Sequence, residues 1–136
     1  RKINENDFKL LDFFTPNESE AEFYLNKKIE TNEDIKNSAK EFLNRGVKNI
    51  IITLGKKGIY FANEDEEYFI DALKLKEEVV DTTGAGDAFN GAFALALANK
   101  LKIKDALIFA NKVAGISTTR LGAASSMPFL TEVEGY

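Results

Sequence analysis

"VVDTTGAGDAFNGAFALALA", residues 79–98, places two β-branched residues, a polar turn with two glycines and a long run of small and apolar residues in direct succession. β-branched residues favour strands, glycines favour turns, and the run that follows has the length of a helix. The stretch therefore predicts a strand, a glycine turn and a buried helix with Asp87 at its N-terminus.

The glycine turn predicts an anion site. The first amides of a helix have no partner inside the helix, and the helix dipole adds partial positive charge, so a turn at this point can bind an anion. Gly84, Ala85 and Gly86 are small enough for a phosphate to reach those amides. Asp87 would lie beside the anion, where a carboxylate can take the proton from a hydroxyl nucleophile that attacks a phosphoryl group.

Other interpretations of the same stretch compete with this one. Asp87 could cap the helix while the glycines only form a bend. A Rossmann dinucleotide turn is disfavoured, because Phe89 stands where the third glycine belongs and Asp105 precedes a helix instead of ending a strand. The G-x-x-x-x-G-K-[ST] spacing of a P-loop is absent from the sequence. From the residues alone, Asp87 could be either a helix cap or a catalytic base.

Composition narrows the chemistry that is possible. The 136 residues include no cysteine and no histidine, which excludes disulfides, thiolate chemistry, zinc-finger sites and histidine proton shuttles. Catalysis would have to use carboxylates, lysines, hydroxyls and the backbone. The net charge of −4, without a basic block, predicts neither nucleic acid nor a membrane surface as partner. We see no signal-peptide pattern and no apolar run of about 20 residues, so a cytoplasmic setting is expected.

The rest of the sequence alternates between helix and strand patterns, which predicts an α/β fold. Thr31 as an N-cap and Gly46 as a stop bound the clearest surface helix. The other predicted elements are a short strand over 10–15 that ends before Pro16, a helix over 19–26, strands within 48–55, 58–62 and 67–73, and a second buried helix over 102–120. One domain is the default at this length, and the opening at Arg1 suggests a part of a longer protein.

The segment DTTGAGDAFNGAF, residues 81–93, resembles the signature of the ribokinase-like (PfkB) family of carbohydrate kinases, whose core is D-T-x-G-A-G-D. TPNESEAE (15–22) is similar to the N-x-x-E segment of that family, and ITLGKKGIYF (52–61) to its T-x-G-x-x-G strand and turn. NKVAGISTTRLGAASSMP (111–128) is similar to its adenine-side helix and final loop. The resemblance implies a three-layer α/β fold, a sheet with flanking helices. It also implies that residues 1–136 are the C-terminal, nucleotide-binding and catalytic part, without the N-terminal half that binds sugar.

The resemblance also implies a role for individual residues. Asp87 becomes the catalytic base, and Gly84, Ala85 and Gly86 the anion hole for the transferring phosphoryl group. Mg²⁺ and the nucleotide phosphates would be oriented by Asn17 and Glu20. The nucleotide would be lined by Thr53, Leu54, Gly55, Lys56, Lys57, Gly58 and Gly86, with Asn111 near the adenine. A K⁺ site would comprise Asp81, Thr83, Ser117, Arg120 (through its backbone carbonyl), Gly122 and Ser126.

The activity implied by the resemblance is ATP-dependent phosphorylation of a primary hydroxyl of a sugar, with ribose, converted to ribose 5-phosphate, as the first candidate. ATP, ADP and a small sugar would be the partners, and the complete protein is expected to be a homodimer. Two alternatives remain. Another kinase of the family could act on fructose phosphate, adenosine or a deoxysugar acid, or the chain could be a non-catalytic nucleotide-binding fragment.

Overall fold

The computed structural model of the protein describes residues 3–72 and 84–118. The chain divides into two compact units, Arg1–Asp71 and Ala72–Tyr136. The predicted strand over 77–83 and the predicted final loop lie outside the described residues. Among the described helices, none has both the length and the apolar character needed to cross a membrane.

The first unit is a four-stranded mixed sheet with two helices. A 3₁₀ helix, Glu5–Leu10, precedes the first strand. The other elements are β1 (Phe13–Phe14), α1 (Glu18–Leu25), α2 (Asn32–Asn44), β2 (Asn49–Thr53), a 3₁₀ turn (Gly55–Lys57), β3 (Ile59–Asn63) and β4 (Glu67–Ile70). The strand order is β1-β2-β3-β4, in which β1 and β2 are parallel and the other two pairs are antiparallel.

The connections follow from this topology. A parallel pair needs a long crossover, which α1 and α2 supply between β1 and β2, whereas two short turns join the antiparallel strands. The predicted α/β class, the two hairpins and both helices are therefore confirmed. The first strand is shorter than predicted, because Leu10 completes the 3₁₀ helix and the N–H of Leu11 donates to the carbonyl of Phe8 at 3.1 Å.

One hydrophobic cluster holds the helices of the first unit to its sheet. Ile35, Ala39 and Phe42 recur along one face of α2 and are buried with Ile50 and Ile52 of β2. The ring of Phe8 lies at the centre of an aromatic group. Its centroid is 5.5 Å from that of Phe14 and 5.7 Å from those of Tyr24 and Phe42. The apolar residues of α2 therefore face the hydrophobic core.

Helix α2 begins and ends where the sequence predicted, after the N-cap Thr31 and before Gly46. The hydroxyl of Thr31 accepts from the N–H of Asp34 at 3.1 Å, and the Asp34 carboxylate accepts from the N–H groups of Glu30 and Thr31 at 2.9 and 3.0 Å. These backbone bonds, Glu30 first, hold the pKa of Asp34 below its ordinary value. Gly46 ends the helix region with φ of +110°, a conformation that side chains disfavour.

The second unit contains a helical hairpin. Helix α3 spans Ala85–Ala98 and helix α4 spans Ile103–Ser117, and the two pack against each other. The sequence predicts a buried helix here, and the structure buries one face of α3. Its buried residues, Ala88, Phe89, Ala92, Phe93 and Ala96, form one stripe. Gly91 and Leu95 on the other side are exposed, since small residues permit burial but do not require it.

Gly46 provides a test of the fold that has a matched control. An added Cβ would lie 2.6 Å from the Cβ and 2.7 Å from the Cα of Lys9, and φ is +110°. We expect Gly46→Ala to lower the free energy of unfolding by more than about 1 kcal/mol. Gly91, inside α3, has open space around an added Cβ. Gly91→Ala should leave that free energy unchanged or raise it by about 0.5–1 kcal/mol. Urea unfolding measures both, and equal effects would contradict the packing described for Gly46.

Candidate functional site

The N-x-x-E segment and the T-x-G-x-x-G turn meet at one edge of the sheet. The N–H of Thr53 donates to the carbonyl of Pro16 at 3.0 Å, and Asn17 forms a parallel bridge with Thr53. Thr53 ends β2, and Pro16 follows β1 by two positions. The carboxyl ends of two parallel strands therefore carry both segments, which is where open α/β sheets bind ligands.

Asn17 and Glu20 form a reciprocal cap at the start of α1. The N–H of Glu20 donates to Oδ1 of Asn17 at 2.8 Å, and the N–H of Asn17 donates to Oε1 of Glu20 at 2.9 Å. Both side chains are exposed. The other oxygen of Glu20 makes no hydrogen bond within the part of the chain that the structure describes. That oxygen is the one available to a ligand.

The glycine turn after β2 is closed by backbone hydrogen bonds, and residues 55–57 are exposed. The N–H of Leu54 donates to the carbonyl of Gly58 at 2.8 Å, and the N–H of Gly58 donates to the carbonyl of Gly55 at 3.1 Å. Gly55 and Gly58 have φ of +58° and +101°, which explains why glycine stands at both positions. An added Cβ at Gly55 would meet open space, and Lys56 and Lys57 are exposed. A ligand can approach this backbone directly.

The predicted anion hole lies at the start of α3. Gly84 is the N-cap, with φ of +80°, and the first helical bond runs from the N–H of Ala88 to its carbonyl at 2.8 Å. The three amides between them, those of Ala85, Gly86 and Asp87, precede that bond and have no acceptor inside the helix. An added Cβ at Gly86 would meet nothing within 4 Å. The arrangement can present N–H donors to an anion.

Asp87 is the third residue of α3, and its carboxylate is exposed. Within residues 3–72 and 84–118 it takes part in no hydrogen bond or ion pair, and no side chain caps Gly84. The capping alternative needs the carboxylate to accept the N–H of the N-cap residue or of the residue before it, as Asp34 accepts from Thr31 and Glu30. A carboxylate without such a bond can instead accept a proton from a hydroxyl. The catalytic role of Asp87 stays a prediction.

Helix α4 carries two further candidate residues, Asn111 and Ser117. Ser117 is fully buried, and its hydroxyl donates to the carbonyl of Ala114 at 2.7 Å. Its oxygen keeps lone pairs that could coordinate a cation. Asn111 is partly buried. The other predicted K⁺ ligands, Asp81, Thr83, Arg120, Gly122 and Ser126, lie outside the described residues.

The candidate residues thus form two sets, one in each unit. The first unit brings together Asn17, Glu20 and the residues from Thr53 to Gly58, and the second carries the Gly84–Asp87 turn with Asn111 and Ser117. Sequence reasoning missed the capping role of Asn17 and the anchoring role of the Pro16 carbonyl. An N-cap residue followed three positions later by Glu is the pattern of a capping box, so the first signal was present in the sequence.

Comparisons with known proteins identify one family. The profile of the pfkB family carbohydrate kinases matches residues 6–130. Ribokinase of Staphylococcus aureus is 41% identical over 126 residues, which cover 91% of this chain and 40% of that protein. The chain therefore spans about 40% of the length of this curated relative.

Two solved structures share the fold. Ribokinase of Thermotoga maritima has a TM-score of 0.87 and 43% identity, and the match covers 99% of this chain and 45% of that one. Ribokinase of Arabidopsis thaliana, complexed with ribose and ATP, has a TM-score of 0.91 and 30% identity, covering 98% and 43%. The family match over residues 6–130 and these structural similarities lead to one conclusion: the chain belongs to the pfkB family of carbohydrate kinases.

Proposed function

We propose that the chain is the nucleotide-binding and catalytic part of an ATP-dependent sugar kinase whose first candidate substrate is ribose. The observation that carries the proposal is the exposed carboxylate of Asp87 in the first turn of α3, next to the amides that follow Gly84. Among the described residues, this carboxylate has no hydrogen-bond or ion-pair partner. Support for the proposal includes the ribokinase relatives, one of which was solved with ribose and ATP. The chain spans 40% of the length of the Staphylococcus aureus ribokinase. The activity is therefore proposed for the complete protein.

In this proposal, Asp87 takes the proton from the primary hydroxyl of the sugar as the hydroxyl oxygen attacks the γ-phosphorus of ATP. The bond between the γ-phosphorus and the bridging oxygen breaks, and ADP leaves with the electron pair. The amides that follow Gly84 donate to the oxygens of the transferring group and stabilise the charge that develops on them. The proton that Asp87 takes is released to solvent after transfer.

The side-chain oxygens of Glu20 and Ser117 suit the two proposed cations, Mg²⁺ and K⁺. Mg²⁺ prefers oxygen ligands and usually keeps several waters, so the oxygen of Glu20 outside the capping box fits a water-mediated contact. When bound, Mg²⁺ would neutralise phosphate charge. For K⁺, the buried Ser117 oxygen fits, with the backbone carbonyl of Arg120 and the side chain of Asp81 as predicted partners. The turn from Thr53 to Gly58 would line the nucleotide, and Asn111 would lie near the adenine.

The proposal also includes a cytoplasmic location, since the reaction consumes ATP, and the complete protein is proposed to be a homodimer.

The alternative functions differ from this proposal in the substrate or in the absence of catalysis. Incubating the complete protein with ATP, Mg²⁺ and each of ribose, deoxyribose, fructose 6-phosphate, adenosine and a deoxysugar acid separates them. We expect ADP formation with ribose. ATP binding without turnover of any sugar would favour the non-catalytic alternative.

Replacement of Asp87 by asparagine tests the catalytic base. The amide side chain keeps the size of the carboxylate and its ability to accept a hydrogen bond, but it cannot accept the proton. We expect Asp87→Asn to lower kcat by about 100-fold or more, with ATP affinity little changed.

Asp105 offers a matched control for this substitution. It is also exposed and occupies the same third position, in helix α4. Asp105→Asn should therefore leave kcat unchanged. Steady-state kinetics and calorimetric ATP titration measure both variants, and normal turnover by Asp87→Asn would show that the base assignment is wrong.

The response to potassium tests the second cation site. A large monovalent cation held by Asp81 and Ser117 would fix the glycine turn without touching the substrate, so it should act on kcat. We expect K⁺ to raise the activity of the complete protein several-fold over Na⁺, and Asp81→Ala to abolish that response. Equal rates in potassium, sodium and a bulky organic cation at matched ionic strength would contradict the site.

A further inference from the structure

We infer that one face of helix α3 is a docking surface for the part of the complete protein that holds the sugar. The face extends from Asp87 along the exposed side of the helix through Gly91, Ala94, Leu95 and Ala98, and we call it the α3 outer face. The inference rests on the proposed function, which places a sugar hydroxyl at Asp87. It assigns an interaction surface and its occupant to a helix whose other face is already buried in this chain.

The outer face is one continuous strip of helix surface. Asp87, Gly91, Ala94 and Ala98 follow one another at intervals of three or four positions, so they lie on the same side of α3. Leu95 lies beside them and is 57% exposed. The carboxylate of Asp87 therefore stands at the N-terminal end of the strip that the apolar residues continue.

The composition of the outer face differs from that of a helix surface in contact with water. Beyond Asp87 and Asn90, the exposed residues of α3 carry no polar side-chain atom. The exposed residues of α2, by contrast, are all polar: Asn32, Glu33, Asn37, Lys40 and Asn44. A contiguous apolar surface is typical of an interaction site. Ala94 and Ala98 already present methyl groups, so Gly91→Ala is compatible with a covered surface.

The position of Asp87 indicates which part of the complete protein covers the outer face. A general base has to lie within hydrogen-bond distance, about 2.6–3.2 Å, of the proton that it takes. In the proposed function, the sugar therefore lies at the N-terminal end of this face. The family resemblance implies that most sugar contacts belong to the N-terminal half. The part that holds the sugar against Asp87 has to lie over the same side of α3.

The length of the relatives leaves room for such a part. The chain covers 40% of the Staphylococcus aureus ribokinase and 45% of the Thermotoga maritima structure, so more than half of each lies outside the match. A part of the same polypeptide also binds at a high effective concentration, which a second copy of the protein does not have. The occupant is therefore assigned to the remainder of the complete protein.

A docked outer face gives α3 a role in positioning. The helix carries Asp87, so a part that packs on Ala94 and Leu95 is aligned with the carboxylate by one rigid element. Misplacing reacting groups by about 1 Å can cost about 100-fold in rate. Leu95 has the largest side chain of the apolar strip, which makes it the anchor of the surface and the residue to change.

Thiol accessibility measures whether the outer face is covered. The 136 residues contain no cysteine, so Leu95→Cys and the control Asn37→Cys each introduce one thiol into this chain, at an exposed helix position. In the complete protein without ligands, we expect Leu95→Cys to be alkylated about 10-fold more slowly or less, because the covering part has to open first. Mass spectrometry of the modified peptides gives both rates. Equal rates would show that the face is open to solvent and would overturn the inference.

Cross-linking identifies the occupant without disturbing the surface. Photo-leucine has nearly the shape of leucine, so its incorporation keeps the packing at Leu95. We expect cross-links that join the peptide containing Leu95 to a segment outside these 136 residues. A mixture of isotopically light and heavy protein separates links within one molecule from links between copies. Light-to-heavy links at Leu95, or links that lead only to other segments of residues 1–136, would contradict the assigned occupant.

Steady-state kinetics measures the consequence for the sugar. A charge at Leu95 separates the two surfaces, so we expect Leu95→Lys to lower kcat/KM for ribose by about 10- to 100-fold while the ATP affinity changes by less than about twofold. Leu95→Met, which keeps an apolar side chain of similar volume, should recover most of that loss. Asn37→Lys, the same charge on the exposed face of α2, should leave kcat/KM unchanged. Equal losses for ribose and ATP would show a general defect and no docking role.

The measurements distinguish failure of the inference from failure of the proposed function. Alkylation and cross-linking need neither turnover nor bound sugar. A complete protein that phosphorylates no sugar would contradict the proposed function, whereas a protected thiol at position 95 with cross-links to the remainder would still establish the docking surface. An active protein with an unprotected thiol there would overturn the inference alone.

Discussion

The parallel pairing of β1 with β2, closed by the bond from the N–H of Thr53 to the carbonyl of Pro16, is the constraint on which the site in the first unit depends. β1 ends at Phe14, and Pro16, two positions later, has no N–H to extend a ladder, although its carbonyl still accepts one bond. The chain then enters α1 at Asn17. A single junction therefore places a helix start beside a glycine turn.

Packing, more than surface charge, keeps that junction in place. Fully burying a large apolar side chain such as Phe42 contributes about 1.5–3 kcal/mol, whereas an exposed ion pair such as that of Asp12 with Lys48 contributes at most about 1 kcal/mol. The pair of Lys27 with Glu41 is likewise a surface contact, although the Lys27 hydrogen bond lowers the pKa of Glu41. The strand ends are positioned because the helices above them cannot move without opening the aromatic cluster around Phe8.

The sequence predicted those features that local physics decides. Thr31 and Gly46 bound α2 because a hydroxyl cap and a glycine with positive φ act within a few residues. The burial of α3 is confirmed for one face only, since a run of alanines fits a buried or an exposed face equally well and tertiary packing decides between them. The N-x-x-E spacing of Asn17 and Glu20 serves both a family motif and a capping box, and the structure describes the capping box. The ligand role of Asn17 stays a prediction. The identity of the sugar stays a proposal, since the chain spans 40% of the length of its ribokinase relative and the resemblance implies that most sugar contacts belong to the N-terminal half.

The two sets of candidate residues differ in hydrogen-bonding character. The start of α3 offers amide donors, which bind phosphate oxygens without help, and Asp87 beside them carries no described partner. The N-x-x-E segment offers a carboxylate oxygen, which phosphate repels unless a cation lies between them. For the proposed kinase, metal dependence would therefore originate in the first unit, at Glu20, while the amide turn of the second unit would stabilise the transferring group through backbone donors alone.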